Sequence, residues 1–268
     1  MNNTVFIGGG NMAYAILGGL LKTGQSPAAF RVIDPSPLAA EKIGTLGVQC
    51  SPNWPEGFTP TQIVLAVKPQ SMQSVLEHHA PHFTSTLLIS IAAGISVAQL
   101  RQWSQQPQAR VVRCMPNTPA LVGQGISGLY FTDNCHVSDK TSANTLFQSC
   151  GEVLTVNTES DINAITAISG SGPGYVFFLM DALAKAAKQL GFTETQANML
   201  VKQTFLGSAS LACASNDSFA TLQDKVTSKG GTTFAGLEQL RIHNVEHAIA
   251  QAAQAALQRA NELQSAGQ

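Results

Sequence analysis

The sequence predicts an α/β domain built on a parallel sheet, followed by an all-helical domain. Up to about residue 157, short β-branched runs alternate with stretches of helical periodicity, which is the pattern of a parallel sheet covered by helices on both faces. After Glu159 the strand-like runs stop, and apolar residues recur with the period of about 3.6 residues that indicates helices. A chain of 268 residues is long enough for two cores. We therefore predict a first domain at residues 1–158 and a second at residues 159–268.

The elements of the first half follow from the same alternation. Apolar and β-branched runs bounded by turn formers predict strands at residues 4–8, 30–34, 63–66, 86–91, 109–113 and 152–156. Amphipathic stretches predict helices at residues 12–23, 37–46, 72–78 and 139–149. Because helical crossovers join parallel strands, the carboxyl ends of these strands should meet at one edge of the sheet, where ligands bind.

The second half is predicted to be a helical bundle. Its first helix carries an apolar face from Val176 onward and ends at Gly191, a residue type that favours helix termination. A second helix is predicted at residues 194–213, and a third, rich in alanine, at residues 238–263. Small side chains let helices approach closely, so we expect this half to form the interface of a dimer.

Composition excludes several classes of protein. The 15 basic and 16 acidic residues leave a net charge of -1, so we expect neither nucleic acid nor an anionic membrane as a partner. No run of about 18 apolar residues predicts a membrane span, and the N-terminus lacks the features of a signal peptide. Dispersed cysteines without a Cys-x-x-Cys pair are typical of reduced thiols. The predicted location is the cytoplasm.

The strongest motif lies at residues 5–13, where an apolar strand runs into Gly-x-Gly-x-x-Ala and then into a helix. Gly8 permits the tight turn, Gly10 lets a diphosphate approach the backbone, and Ala13 lets the helix pack close to the strand. The free amides and the dipole at the helix start attract the diphosphate. This is the pattern of a Rossmann dinucleotide-binding domain, and the alternative is an ordinary glycine-rich turn.

Asp34 is the expected ribose ligand. It ends the second predicted strand, 21 residues after Ala13, where an acid bonds the adenosine ribose hydroxyls and favours NAD over NADP. No arginine or lysine follows it directly, since the next residues are Pro35 and Ser36. The alternative is a capping or turn-forming role before Pro37. The choice between NADH and NADPH therefore stays open.

Three further segments end predicted strands at the same edge of the sheet. They lie at residues 66–69, 91–94 and 115–119. Lys68 is a candidate contact for the ribose or the diphosphate, and Asn117 and Thr118, between two prolines, are candidates for bonding the nicotinamide carboxamide. Each segment alone is also ordinary loop chemistry, and their shared placement is what favours a binding role.

Two loops rich in glycine and hydroxyl groups interrupt the helical half, at residues 169–175 and 226–234. Each opens directly into a predicted helix. Exposed amides at such a position, together with serine and threonine hydroxyls, form a receptor for a small anion. The alternative is a pair of helix caps, although capping alone rarely needs so many glycines and threonines.

Together these motifs resemble the pyrroline-5-carboxylate reductase family, whose enzymes complete proline synthesis. The similarity runs in order through residues 7–12, 66–69, 90–94, 113–119, 168–173 and 228–233, and the last segment matches the family signature. The resemblance implies a Rossmann domain, a helical dimerisation domain, an imino-acid substrate, and homodimers that often assemble into larger rings. It also implies NADPH or NADH as the cofactor, with the family tending toward NADPH.

The motifs and the resemblance give a predicted set of site residues. Those expected to contact the dinucleotide are Ile7, Gly8, Gly10, Asn11, Met12, Asp34, Ser36, Ala66, Val67, Lys68, Pro69 and Asn117. The resemblance implies that Ser228, Gly231, Thr232 and Thr233 contact the substrate, and that Glu159 lies near the bound ring. Thr233 and Glu159 are the expected catalytic residues. The sequence departs from the family at Lys229, where proline is usual, and at Gly174, where alanine is usual.

The residue types present fit this chemistry. None of the six histidines lies in the two loops, and no Ser-His-Asp arrangement is evident. A protonated cyclic imine is already electrophilic, so the protein mainly has to hold the donor and acceptor carbons together in a dry pocket. We expect Thr233 to bond the ring nitrogen, Ser228 and the loop amides to hold the carboxylate, and Glu159 to favour the cation.

Three alternatives stay open. Residues 243–247 match a His-x-x-Glu-His zinc motif with both histidines on one helix face, although few acids remain for a third ligand and no metal is predicted. A β-hydroxyacid dehydrogenase would need a catalytic lysine early in the helical half, and Lys185 is the candidate. A nucleotide sensor would bind the dinucleotide without oxidising it.

Overall fold

The chain forms two compact units in the computed structural model, which describes residues 3–266. The sheet unit contains residues 1–171 and 256–268, and the helical unit contains residues 172–255. The predicted class, a Rossmann-type sheet domain followed by a helical region, is confirmed. The predicted division into domains at residues 1–158 and 159–268 stays a prediction.

An eight-stranded sheet forms the centre of the sheet unit, with the strand order β3-β2-β1-β4-β5-β6-β7-β8. The strands are β1 Thr4–Ile7, β2 Phe30–Ile33, β3 Gln49–Ser51, β4 Gln62–Leu65, β5 Leu87–Ser90, β6 Arg110–Met115, β7 Gly125–Phe131 and β8 Gly151–Thr155. Neighbouring strands are parallel except for β6 and β7, which are antiparallel. The strand order reverses at β1, between β2 and β4, which is where Rossmann-type sheets bind ligands.

Helices cover both faces of this sheet. They are α1 Asn11–Lys22, α2 Pro37–Gly44, α3 Pro69–His79, α4 Val97–Trp103, α5 Val137–Gln148 and α6 Asp161–Ile165. Successive strand residues point to opposite faces, so Phe6 belongs to the same core as Ile16 of α1, while Ile7 belongs to the core that contains Met72 of α3. Strands β1, β4 and β5 are therefore buried along their whole length.

Four helices and strands of the sheet unit were not predicted, namely β3, α4, β7 and the five-residue α6. β3 has only three residues, and α4 is too short to show a helical period, although a Ser96–Gln99 capping box marks its start. β7 contains Gly128, a residue type that is unfavourable in strands. A Cβ at Gly128 would lie 2.3 Å from Ile165 Cδ1, so the glycine is needed for close packing of α6 on the strand.

The helical unit contains α7 Gly172–Gln189, α8 Glu194–Cys213, α9 Phe219–Lys225, α10 Thr232–Ile242 and the first part of α11 Val245–Ala266. The prediction of a single helix at residues 238–263 was wrong. The chain breaks at Asn244, whose φ of 51° is left-handed, so α10 and α11 are separate helices. Within residues 3–266, no helix has the length and apolar character needed to cross a membrane.

The last turns of α11 belong to the sheet unit. A Cβ at Gly94, after β5, would lie 2.9 Å from the Cβ of Leu263. Asn163 of α6 donates hydrogen bonds of 2.9 Å to Asn261 Oδ1 and 2.7 Å to Gln264 Oε1. These contacts attach the end of the chain to the carboxyl-terminal side of the sheet.

Candidate active site

The glycine-rich turn after β1 has the geometry that a dinucleotide needs. Gly8 has a φ of 105°, and a Cβ there would lie 2.6 Å from the carbonyl oxygen of Ala66, so only glycine fits. A Cβ on Gly10 would meet nothing within 4 Å, which leaves open space beside the backbone. No side chain caps α1 at Gly10, so the first amides of this helix lack an intrahelical partner and can bind an anion. The turn therefore fits a diphosphate.

Asp34 follows β2, and its carboxylate supports this turn. Its Oδ2 accepts a hydrogen bond of 2.7 Å from Gly9 N, and its Oδ1 accepts one of 2.9 Å from Ser36 N. Ser36 caps α2, because its hydroxyl accepts a hydrogen bond from Ala39 N. Of the alternative roles for Asp34, capping thus belongs to Ser36, whereas the bond from Ser36 N is the turn-forming contact of Asp34 itself, which lies half-buried beside the glycine turn.

Residues 66–69 follow β4 and touch the glycine turn. The carbonyl of Ala66 and the amide of Val67 are the atoms that a Cβ on Gly8 would strike. Lys68 is exposed just before α3 begins. Because β2, β1 and β4 are neighbouring parallel strands, the structure brings three predicted segments together: the glycine turn, the acid after β2, and residues 66–69.

Asn117 follows β6, and its side-chain amide is bonded within the sheet unit. Its Oδ1 accepts a hydrogen bond of 2.9 Å from Ile126 N, and its Nδ2 donates one of 3.1 Å to the carbonyl of Ser169. Ser169 lies in a π-helical turn, Thr166–Gly170, that extends α6. The two sequence motifs at residues 115–119 and 168–173 therefore meet here. A hydrogen bond from Asn117 to a carboxamide would compete with these two bonds.

Glu159 is held by a buried arginine whose role the sequence analysis missed. Arg113 Nη1 lies 2.9 Å from Glu159 Oε1, which also accepts a hydrogen bond of 2.8 Å from Val97 N. The side chain of Arg113 is 2% exposed and that of Glu159 is 27% exposed. Burial lowers the pKa of Arg113, and the charge of Glu159 counteracts this. A cation inside the apolar strand β6 was the signal that pointed to such a pair.

In the helical unit, residues 226–234 form a turn that leads into α10. Gly231 N donates a hydrogen bond of 3.0 Å to the carbonyl of Ser228. No side chain caps α10 at Gly231, so the amides of Thr232 and Thr233 begin the helix without an intrahelical partner. Ser228, Thr232 and Thr233 of this turn are exposed. The four predicted substrate contacts therefore lie together, and their amides and hydroxyls suit a small carboxylate.

Comparison with known proteins gives the same picture for both halves of the chain. The family model described as pyrroline-5-carboxylate reductase dimerisation matches residues 159–263, and the one described as NADP oxidoreductase coenzyme F420-dependent matches residues 3–94. The pyrroline-5-carboxylate reductase of Pseudomonas aeruginosa is 41% identical over 261 residues, which cover 96% of this chain and 95% of that protein. The chain belongs to the pyrroline-5-carboxylate reductase family.

Solved structures related to this reductase family have the same fold. A pyrroline-5-carboxylate reductase from Coxiella burnetii aligns with a TM-score of 0.91 at 36% identity, covering 98% of both chains. A pyrroline carboxylate reductase from Plasmodium falciparum, solved with NADP bound, aligns with a TM-score of 0.85 at 29% identity, also covering 98% of both chains. Membership of the reductase family decides against the hydroxyacid dehydrogenase alternative. Its candidate, Lys185, forms an exposed ion pair with Asp181 of the same helix.

The zinc alternative loses its geometric basis. His243 ends α10 and His247 lies in α11, with the break at Asn244 between them. The expectation that both histidines share one helix face was therefore wrong. Among residues 3–266, no group of three histidine, cysteine or acidic side chains is arranged to hold a metal ion.

Proposed function

We propose that this chain reduces 1-pyrroline-5-carboxylate to proline, the last step of proline biosynthesis, with NADH or NADPH as the hydride donor. The observation that carries the proposal is the open glycine turn at the uncapped start of α1, in a chain that is 41% identical to a pyrroline-5-carboxylate reductase along nearly its whole length. When bound, the reduced nicotinamide supplies the hydride.

The proposed dinucleotide contacts lie along the carboxyl edge of the sheet. The amides of Gly10, Asn11 and Met12 at the start of α1 receive the diphosphate, and Ile7 and Gly8 line the same turn. Asp34 and Ser36 contact the adenosine ribose. The segment after β4 and the segment after β6 contact the remaining part of the cofactor, through Ala66, Val67, Lys68, Pro69 and Asn117. This assignment is supported by the placement of all these residues where neighbouring strands end.

The proposed substrate contacts are the turn before α10 and the acid before α6. Ser228, Gly231 and Thr232 hold the substrate carboxylate, and the hydroxyl of Thr233 accepts a hydrogen bond from the protonated ring nitrogen. No side chain needs to deliver a proton, because the imine nitrogen already carries one. Glu159 favours this cation by its negative charge. The hydrogen bonds from Arg113 Nη1 and Val97 N both go to its Oε1, and neither goes to its Oε2.

Thr233→Ala tests the substrate assignment. Loss of one hydrogen bond to a charged group should lower kcat/KM for the imine by about tenfold or more. Steady-state kinetics with a fixed, saturating cofactor measures this. Thr233→Ser keeps the hydroxyl and should restore most of the activity.

Thr204→Ala is the matched control for that variant. Thr204 is exposed on α8 of the same unit, and its hydroxyl bonds only the carbonyl of Leu200 among the described residues. We expect its kinetics to equal those of the wild type. Unchanged kinetics in Thr233→Ala would remove the proposed role of this hydroxyl.

The proposed reaction itself is tested by following nicotinamide absorbance. The purified protein is given NADH or NADPH together with the five-membered imino acid, and then with its six-membered homologue. We expect oxidation of the cofactor with the five-membered substrate. A protein that retains the dinucleotide but never oxidises it would instead be a nucleotide sensor, and a protein that does neither would contradict the proposal entirely.

We also propose the larger organisation of the protein. The dinucleotide-binding domain comprises residues 1–158, and the substrate-binding and dimerisation domain comprises residues 159–268, which is supported by the dimerisation model that begins at residue 159. The chain forms a homodimer or a larger ring of dimers. Its balanced charge supports the proposals that it binds no nucleic acid or membrane and works in the cytoplasm.

A further inference from the structure

We propose that the corner formed by residues 34–39 makes this protein select NADH over NADPH, with Asp34 as the residue that determines the choice. This inference rests on the proposed dinucleotide site and adds which cofactor that site takes. The two cofactors differ only at the 2′ position of the adenosine ribose, which carries a hydroxyl in NADH and a phosphate in NADPH.

Asp34 presents acceptors that are already oriented. Each carboxylate oxygen accepts one backbone hydrogen bond, from Gly9 N at 2.7 Å and from Ser36 N at 2.9 Å. Since an ionised carboxylate has about four lone-pair sites, each oxygen keeps a site for a ribose hydroxyl. The bond to Gly9 also fixes the carboxylate against the turn that receives the diphosphate. A 2′-hydroxyl would meet a positioned acceptor, whereas a 2′-phosphate would meet a like charge.

The backbone of this corner offers a phosphate few donors. Three amides already donate hydrogen bonds within the sheet unit, those of Asp34, Ser36 and Ala39. Two other residues, Pro35 and Pro37, have no N–H. Within residues 34–39 this leaves the amide of Leu38, while phosphate recognition usually uses several charged or aligned donors. The start of α2 therefore offers a phosphate only this amide and the hydroxyl of Ser36, and neither donor carries a charge.

The cations nearest in sequence are engaged elsewhere. Arg31 of β2 donates to two backbone carbonyls and lies 4.6 Å from the ring centroid of Phe58. Lys42 of α2 donates to Asn11 Oδ1 and lies 4.7 Å from the ring centroid of Tyr14. In the described part of the chain, neither cation forms an ion pair with the acid after β2. Lys42 thus lies beside the turn that receives the diphosphate, and Asp34 has no ion-pair partner among residues 3–266.

The thiol of Cys50 is subject to the same negative charge. Cys50 lies in β3, beside the end of β2. Burial raises the pKa of this thiol, and the charge of Asp34 raises it further. The thiol thus adds no charge of its own at the corner.

Calorimetry on the wild-type protein tests the inference, because it measures binding of a probe without turnover. The probes are ADP-ribose and 2′-phospho-ADP-ribose, which differ only at the decisive position. Charge repulsion and the shortage of donors should make ADP-ribose bind at least about tenfold more tightly. Equal affinity, tighter binding of the phosphorylated probe, or binding of neither probe would overturn the inference.

The variants Asp34→Ser and Glu41→Gln identify the residue responsible. Asp34 also accepts a hydrogen bond from Gly9 N, so its loss weakens the binding of both probes. The readout is therefore the ratio of the two dissociation constants. The ratio should fall to about one or below in Asp34→Ser. It should stay at the wild-type value in Glu41→Gln, which removes an exposed carboxylate from α2, the helix that begins just after this corner. A wild-type ratio in Asp34→Ser would overturn the assignment.

Kinetics with both cofactors separates this inference from the proposed function. A kcat/KM for NADH at least about tenfold above that for NADPH supports both. Faster reduction with NADPH overturns the cofactor choice and leaves the reaction standing. If the imine is not reduced with either cofactor while ADP-ribose is still preferred, the proposed reaction fails and the selection at Asp34 stands.

Discussion

At the residue scale, a buried histidine contributes to the pH dependence of stability in the sheet unit. His79 ends α3 and is 8% exposed. Its ring centroid lies 5.6 Å from that of Trp54, 4.7 Å from that of His78 and 6.4 Å from that of His82. Its pKa is lowered to about 4, mainly because the ring is buried and further because the two neighbouring histidines repel its charge.

We expect the free energy of unfolding to fall as the pH falls from 6.5 to about 4. The unfolded chain binds a proton at His79 near the usual value of 6.5, whereas the folded chain binds it only near pH 4. Acid therefore favours unfolding within this window, and the contribution of His79 is at most roughly 3 kcal/mol. Denaturant unfolding at several pH values measures it.

The variant His79→Gln should lose this part of the pH dependence. His243→Gln is the control, because His243 is exposed at the end of α10 in the other unit. Its unfolding should follow the wild-type pH curve. If His79→Gln also followed the wild-type curve between pH 6.5 and 4, the effect would not come from this histidine.

Single residues also differ in how far local sequence defines their role. The turn at Gly8 was predictable, because a strand followed by a glycine motif and a helix requires a left-handed residue there, and its φ is 105°. The internal bonds of Asn117 were not predictable. They depend on Ile126 and on Ser169, and the latter is far away in sequence and adjacent only in the fold.

At the scale of elements, one ion pair joins several pieces of the sheet unit. Arg113 lies in β6, Glu159 precedes α6, and Val97 begins α4. Arg113 Nη1 also donates to Gln264 Oε1 of α11 at 3.4 Å. The buried guanidinium thus bonds the residue before α6 and a residue of α11, and Glu159 in turn bonds the start of α4. Nη2 of Arg113 has no hydrogen-bond partner among residues 3–266.

We expect Arg113→Met to lower the free energy of unfolding by about 2–4 kcal/mol, because it leaves the carboxylate of Glu159 without its counterion. Denaturant unfolding near neutral pH measures this. The double variant with Glu159→Gln should recover part of the loss, since an amide tolerates the missing cation better. A simple sum of the two single effects would show that the pair is not coupled.

Arg259→Met is the matched control for this pair. Arg259 and Glu262 form an ion pair on the exposed surface of α11. Exposed pairs of this kind contribute about 0–1 kcal/mol, so the control should lie within that range. If Arg259→Met lowered the free energy of unfolding as much as Arg113→Met, burial of the ion pair would not account for the difference expected between the two variants.

The elements that were predicted and those that were missed differ in the source of their stability. Strands β1, β4 and β5 are covered on both faces and have continuous apolar runs. β7 is stabilised instead by antiparallel pairing with β6 and by close packing of Ile165 against Gly128. Such contacts join distant segments and leave little trace in a local pattern. The break at Asn244 was missed because alanine-rich sequence continues the helical period on its far side.

At the scale of the whole molecule, the helical unit exposes apolar side chains whose contact with water is unfavourable. No residue of α7 is buried, and Phe177 and Phe178 are 64% and 73% exposed. Exposed aromatic residues in a contiguous patch are typical of subunit interfaces. This surface supports the proposed homodimer.

Phe178→Glu tests this surface. A buried, unpaired charge should weaken the dimer by more than about 3 kcal/mol, which raises the dissociation constant more than 100-fold. Sedimentation velocity at micromolar protein should then show a monomer. The control is Val137→Glu, which places the same charge at the exposed valine that begins α5 in the sheet unit. It should leave the wild-type species unchanged. A Phe178→Glu protein of wild-type mass would contradict the assignment of α7 to the interface.

The sequence alone determined the fold class, the dinucleotide turn, the helical second half and the family, because each depends on local order: alternating elements, glycines at fixed spacing, and hydroxyl-rich turns before helices. The tertiary structure decided which side chains act together. The carboxylate of Asp34 bonds the glycine turn, Arg113 meets Glu159, and the antiparallel β7 lies beside β6. These pairings arise from packing between segments far apart in the chain, where burial and hydrogen-bond satisfaction act on the whole unit rather than on neighbouring residues.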